Sequence, residues 1–257
     1  MTPLVIGAAG LAVLLLTGLW ALQLRTQDAA TADVGWSLVI AGGAIVAAIA
    51  TDGDVARRVL VGGIAAIWAL RLAWYLLVDR IIPDRGEDGR YRALRNHWGA
   101  RAPRFFLLVY LGQGAVAALF ILPIAAAMRG GPIDGWAIAG ALVWVVAVAG
   151  ETIADRQLAA FRADPANRGA VCRAGLWRYS RHPNYFFEWI HWWAYVLIAH
   201  GALLTLIGPA AMLLFLFRIT GIPWTELQAG KSRGEKYREY QETTSIFIPW
   251  PPRRDTA

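Results

Sequence analysis

The sequence is poor in the residues on which soluble domains rely. Only 17% of its 257 residues are charged, against about 25% in a soluble domain. With 57% apolar residues and a mean hydropathy of +0.43, that deficit excludes a disordered chain and argues against an ordinary soluble globule. Cysteine occurs once, as Cys172, which excludes an internal disulfide and any cysteine-cluster metal site. Lysine is nearly absent: 23 of the 25 basic residues are arginine. That bias, with abundant alanine and glycine, fits a GC-rich bacterial genome. Acidic residues number 18, which leaves a net charge of +7 and a pI near 10.0. In a soluble protein such an excess points to nucleic acid. In a chain this apolar it points to basic loops on the cytoplasmic side of a membrane, and no nucleic-acid partner is expected. A glycine-rich dinucleotide fingerprint is lacking too.

What the chain has in quantity is long apolar runs. A helix needs about 20 such residues to cross the hydrocarbon core. Candidate crossings are Pro3 to Leu24, Trp36 to Ala50, Val59 to Val78, Phe105 to Met128 and Ile133 to Ala154. The first has no basic n-region and no small-residue cleavage site, so it reads as a retained helix. Phe186 to Phe217 spans 32 residues, or about 48 Å, too long for one crossing of ~30 Å. It is expected to break near His200 and Gly201 into helices six and seven. With the N-terminus outside and seven crossings, 21 of the 25 basic residues fall on the inner side. Arg57, Arg58 and Arg129 fall outside, and Arg71 lies within a helix. A six-helix alternative loses this separation. The expected fold is therefore all-α: one polytopic membrane domain over residues 1–257, with about seven helices, N-out and C-in, embedded in a bilayer and taken as a monomer. The bacterial inner membrane is the expected location.

Ionisable residues inside a membrane usually face a cavity or a partner. Arg71, in Trp68-Ala-Leu-Arg71-Leu-Ala-Trp74-Tyr75, reads either as an arginine snorkelling to the inner interface or as a ligand. Asp33, just before helix two, reads as an N-cap or as a functional acid. Glu188, His191 and Trp192 share one helical face through i, i+3 and i+4 spacing. Of these, Glu188 is the functional candidate, because a carboxylate so close to the bilayer needs compensation. The run Gly175-Leu-Trp-Arg178-Tyr179-Ser-Arg181-His182-Pro183-Asn184-Tyr185 is the densest in chemistry. Its arginines suit phosphate oxygens, its tyrosines suit a flat ring, and Pro183 opens a helix whose free N–H groups favour anions. Positive-inside topology explains the arginines but not their interleaving with Tyr, Ser, His and Asn. The tail from Trp224 to Gln241 is basic and amphipathic, and it reads otherwise as a helix lying on anionic lipid. Metal ligands in a cluster are not seen.

Arg181-His182-Pro183-Asn184-Tyr185, then Glu188, then Arg233-Gly234-x-x-Tyr237-x-x-Tyr240 and Pro249 carry a resemblance. The chain resembles the bacterial family called domain of unknown function 1295, grouped with steroid 5-alpha-reductases and sterol reductases. The match is dense from Glu151 to Pro252 and thin before it. Isoprenylcysteine carboxyl methyltransferases share the Arg-His-Pro-x-Tyr core and the Pro-ended tail. The reductase resemblance implies helices around a cavity open to the bilayer, with residues 1–150 forming the substrate side and 151–252 the cofactor region. It implies NADPH on the cytoplasmic side, bound by Asp155, Arg178, Tyr179, Arg181, His182, Asn184, Tyr185 and Glu188, with Arg233, Tyr237 and Tyr240 as weaker additions. Arg71 matches an arginine that approaches the cofactor. Steroid reductases pair an acid with a tyrosine three positions before that arginine; here Trp68 stands in that place. Asp33 stands where the acid would, and Tyr75, one turn after Arg71, is the substitute proton donor. Many members carry a small residue before the helix-six acid, where this chain has Phe187. The leading expectation is an NADPH-dependent reductase of a carbon–carbon double bond in a steroid-like or other lipid. The alternatives are an S-adenosylmethionine-dependent methyltransferase, favoured by the shared motif and Glu226, and a transporter or assembly factor using Arg71 and Glu188 as an ion path. The chain shows no inverted repeats that would favour transport.

Overall fold

The computed structural model describes residues 3–82 and 86–253. Arg85 and Arg254, two arginines of the charge count, lie outside the described residues. The described residues form helices and connecting turns with no strand. The helices are α1 (Pro3–Thr26), α2 (Thr31–Ala50), α3 (Val55–Leu76), α4 (Gly89–Trp98), α5 (Ala102–Met128), α6 (Gly135–Ala163), α7 (Pro183–Ile198), α8 (Ile207–Leu214), α9 (Ile222–Arg233) and α10 (Glu235–Thr243).

Six helical stretches are long and apolar enough to cross a membrane: Pro3–Thr26, Thr31–Ala50, Val55–Ile81, Gly89–Met128, Gly135–Ala163 and Leu203–Arg233. Such surfaces belong in lipid. On α1, Leu11 and Leu14 are each 69% exposed, a state that water would penalise and acyl chains do not. The expected break falls where Gly201 permits it: His200 and Gly201 both take positive φ, +53° and +76°, and end α7. The helix before that break has 16 residues, or about 24 Å, short of a ~30 Å core. Pro183 is its first residue, where its missing N–H costs nothing.

The chain divides into two compact units. The first comprises Met1–Ile138 and Tyr195–Ile207, the second Ala139–Ala194 and Gly208–Ala257. The expected border between residues 150 and 151 lies inside α6.

In the first unit, α2 packs on α3 through small residues. A Cβ built on Gly62 would lie 2.9 Å from the Ala48 methyl and 3.5 Å from the Ala44 carbonyl oxygen, so the crossing needs glycine there. Trp68 is fully buried and meets Trp36 edge to face at 6.1 Å, while Trp36 meets Phe120 at 5.8 Å. Asp54 caps α3 by accepting from the Arg57 amide at 3.1 Å.

Asp33 is not an N-cap. Helix α2 starts at Thr31, with Asp28 accepting from the Ala30 amide at 2.9 Å, so Asp33 lies within the first turn. The polar stretch Thr31–Asp33 hid that turn from an apolar-run reading.

In the second unit the tail is not one interfacial helix. Gly234, with φ +56°, separates α9 from α10. Tyr237 and Tyr240 face inward and pack with Ala229 and Val171.

Candidate functional site

The run from Leu176 to Tyr185 and the tail are stitched together around one carboxylate. Glu226, on α9, accepts four donors. Arg181 Nε donates to Oε1 at 3.1 Å, Tyr237 Oη donates to Oε1 at 2.7 Å, and Gln241 Nε2 donates to Oε2 at 2.6 Å. His182 Nε2 lies 2.9 Å from Oε1. An ionised carboxylate only accepts, so that ring nitrogen must carry the proton. Arg181 Nη1 also donates to the Gln241 and Thr244 carbonyls, at 2.8 and 3.3 Å. Around this centre, Ser180 Oγ donates to the Phe247 carbonyl at 2.8 Å, and the Arg181 amide donates to the Ser245 carbonyl at 2.8 Å. Tyr240 Oη donates to the Trp177 carbonyl. Tyr237 and Tyr240 are both held well above the usual phenol range, first by burial. For Tyr237 the neighbouring Glu226 carboxylate adds to the shift.

The motif residues thus separate into two groups. Arg181, His182, Tyr237 and Tyr240 form the frame, and Tyr185 stacks on His182 at 5.4 Å with rings 6° from parallel. Arg233 is half-buried and donates through Nε to the Ala170 carbonyl at 2.9 Å. By contrast, the side chains of Arg178 and Tyr179 are exposed and make no hydrogen bond among the described residues. Arg156, on α6, is also exposed with no such partner.

Helices α6 and α7 bring a second polar set together. Glu151 and Asp155, one turn apart on α6, are each 3% exposed. Asn184 Nδ2 donates to Asp155 Oδ1 at 3.2 Å. Glu188 follows Asn184 by one turn of α7 and is partly buried. The helices approach closely because Gly150 faces Phe187: a Cβ there would sit 2.5 Å from the ring. The bulky residue before Glu188 is therefore accommodated by a glycine opposite it.

In the first unit, Asp33 is held from several sides. Its Oδ2 accepts from Arg90 Nη2 at 2.9 Å and lies 3.7 Å from Arg80. Its Oδ1 accepts from the Tyr91 hydroxyl at 2.7 Å and from Gln113 Nε2 at 3.3 Å. Asp33 is thus an acceptor on both oxygens, and the proton beside it belongs to Tyr91. One turn along α2, Trp36 has a buried Nε1–H with no acceptor among the described residues. Arg71 lies over Tyr75 on α3, its guanidinium carbon 5.9 Å from the ring centroid.

Three residues in these arrangements escaped the sequence reading: Glu226 as the organising acid, and Tyr91 with Arg90 as the partners of Asp33. Residues 79–104 look like topological arginines alone, because no motif marks them. They instead supply α4, whose Arg90 and Tyr91 reach Asp33 and whose Arg95 pairs with Glu87 at 2.7 Å.

The family described as Protein of unknown function (DUF1295) matches residues 19–244. The chain belongs to the DUF1295 family. That span takes in α2 to α10, and hence both Asp33 with its partners and the frame around Glu226. No curated protein and no solved structure matches this DUF1295 chain.

Whether the second unit suits a dinucleotide is tested by its unused donors. A pyrophosphate needs cations that the fold does not itself consume. Arg178 and Arg156 meet that condition, and Tyr179 adds an exposed ring for stacking. Arg181 and His182 are largely committed to the frame: Arg181 Nε and Nη1 and His182 Nε2 end on Glu226 and on backbone carbonyls. The exposed part of the motif, not its buried part, has the cations and the ring that a nucleotide would need.

Proposed function

We propose that this DUF1295 protein is a membrane-embedded, NADPH-dependent reductase of a carbon–carbon double bond in a steroid-like or other lipid. The observation that carries this reading is the pair of Asp33 and Tyr91. Reduction of an enone needs a proton as well as a hydride, whereas methyl transfer needs no such donor. A tyrosine whose hydroxyl rests on a carboxylate held by Arg90 is a fixed proton source. It supplies the acid–tyrosine pair that Trp68 seemed to remove.

In this reading Arg178 and Arg156 bind the nucleotide phosphates and Tyr179 stacks on a flat ring. Asp155, Asn184 and Glu188 orient its polar groups. Glu226 and its donors keep the motif in register without touching the ligand. When bound, NADPH would supply a hydride for the β-carbon of the acceptor. Tyr91 delivers the proton that completes the saturated product, and Asp33 and Arg90 hold its hydroxyl in place. Trp36 offers an N–H to the acceptor's carbonyl oxygen. The orientation belongs to the same proposal: seven crossings, with α7 as the short sixth, the N-terminus outside and the nucleotide side in the cytoplasm of a bacterial inner membrane.

The test is direct binding to purified protein in detergent. Wild-type protein is expected to bind NADPH. Arg178→Ala should weaken binding about tenfold, the loss of one charge-assisted contact, without lowering thermal stability. Binding of S-adenosylmethionine with no response to NADPH overturns the reading.

A further inference from the structure

The end of the first unit farthest from Asp33 carries a second constellation. From Asp33 to Ala50, helix α2 rises about 26 Å, so the two places lie near opposite ends of the spanning helices. Three segments meet here: the link from α2 to α3, the link from α5 to α6, and the turn after α7. Arg57, 3% exposed, ties them together. Its Nε donates to the Gly131 carbonyl at 2.7 Å, its Nη1 to the Ile198 carbonyl at 2.6 Å, and its Nη2 to the Pro132 carbonyl at 3.1 Å and Asp134 at 3.0 Å. The Asp54 amide donates to the Gly130 carbonyl at 3.0 Å, and His200 Nε2 lies 2.8 Å from Asp134.

This stitching frames a crevice of about 430 Å³ lined by Arg57, Arg129, Asp134, Ala199, His200 and the 130–133 backbone. The charges in it are unequal. Arg57 is neutralised by Asp134 and its other donors end on carbonyls. Arg129 is exposed, and its guanidinium has no ion-pair or hydrogen-bond partner among the described residues. The surroundings are apolar and aromatic: Trp136 is 54% exposed and Leu203 84%. A crevice at the end of spanning helices, one unspent guanidinium, and an exposed indole whose ring lies 6.2 Å from that of His200 together match the boundary between lipid headgroup and acyl chain.

We propose that this crevice binds the phosphate group of a phospholipid from the adjacent leaflet. Arg129 takes the phosphodiester oxygens, with the His200 edge beside them. Trp136 and Leu203 cover the start of the acyl chains. Arg57 does not touch the lipid; it is a positioning residue that holds the crevice open. The site is independent of the reductase reading, because it uses none of the residues assigned there.

Delipidated protein in detergent, titrated with phosphatidylglycerol and followed by native mass spectrometry and thermal shift, tests this. Wild-type protein is expected to hold a lipid that Arg129→Gln binds about tenfold more weakly, while diacylglycerol of the same chains shows no difference between the two proteins. Trp136→Ala should also weaken the phospholipid. Arg129 is exposed, so its substitution leaves the fold intact, and an unchanged melting temperature without lipid checks this. Equal phospholipid affinity in wild-type protein and Arg129→Gln overturns the proposal. So does protection by inorganic phosphate that matches phosphatidylglycerol and survives Trp136→Ala, since the crevice would then serve a soluble anion.

Discussion

A single carboxylate decides what the arginine-histidine motif does. Glu226 receives donors from residues 181, 182, 237 and 241, so the most recognisable motif residues are spent on holding the tail. Glu226→Gln keeps the volume but puts an amide NH₂ among groups that all donate. It should cost about 2–4 kcal/mol, the range for breaking a buried charged network by removing one partner. A melting temperature within one degree of wild type would show the network to be dispensable. Tyr91→Phe poses the complementary question. It removes one hydrogen bond, worth about 1 kcal/mol of stability. On the reductase reading it lowers turnover by a larger factor while NADPH binding is unchanged; a normal turnover rate would move the proton donor elsewhere, with Tyr75 next in line. Neither the organising role of Glu226 nor the pairing of Tyr91 was legible beforehand. Their partners are 45 and 58 residues away in the chain, and no local spacing encodes such a meeting. Arg178 and Arg181 look alike in the sequence for the same reason. Only the position of Glu226 separates the spent guanidinium from the available one.

At the scale of elements the sequence is a better guide, because lipid and helix geometry impose periodic constraints that show in one dimension. The apolar runs foretell α1, α2, α3, α5 and α6, and the interruption at His200 and Gly201 marks the end of α7. Misplaced ends occur where polar residues enter a helix, as Thr31 to Asp33 do in α2. Close packing is less legible, and adjacent glycines show why. Gly62 and Gly63 are equivalent by composition. Yet Gly62 faces Ala48, and nothing lies within 4 Å of a Cβ at Gly63. Gly62→Val should force α2 and α3 apart and cost about 1–3 kcal/mol, as overpacking does. Gly63→Ala should be neutral or stabilising by up to about 1 kcal/mol, through helix propensity alone. The two variants, melted side by side in detergent, test whether the α2–α3 crossing is as tight as described. Equal effects would refute it.

For the whole molecule, the ionisable groups outside the spanning helices set a pH window. On the acid side, Asp134 is held down to about 2, chiefly by the Ala137 amide and by His200. Asp88 is also lowered: burial pushes it up, but Arg90 and Arg80 outweigh that. A carboxyl lowered on folding stabilises fully above its unfolded value of about 3.9, and that contribution disappears as pH falls through the folded value. On the alkaline side, Tyr237 and Tyr240 are raised on folding. Their contribution is complete below the unfolded phenol value of about 10 and is lost as pH rises from there toward the folded values. Burial also raises the Cys172 thiol, whose contribution is lost above the unfolded value of about 8.5, and raises Asp28, which partly offsets the acid edge. Thermal stability should therefore be greatest between about pH 5 and pH 8 and fall on both sides, most steeply above about pH 10. The alkaline edge is the more specific, because it belongs to the frame that positions the candidate nucleotide site. Tyr237→Phe should lower the plateau, since Glu226 loses a donor, and should make the fall between about pH 10 and pH 11 shallower, since one titrating phenol is gone. Melting curves at half-unit pH steps distinguish the two effects. An alkaline slope identical to wild type would mean that Tyr237 is not the buried, carboxylate-bound phenol on which the frame depends.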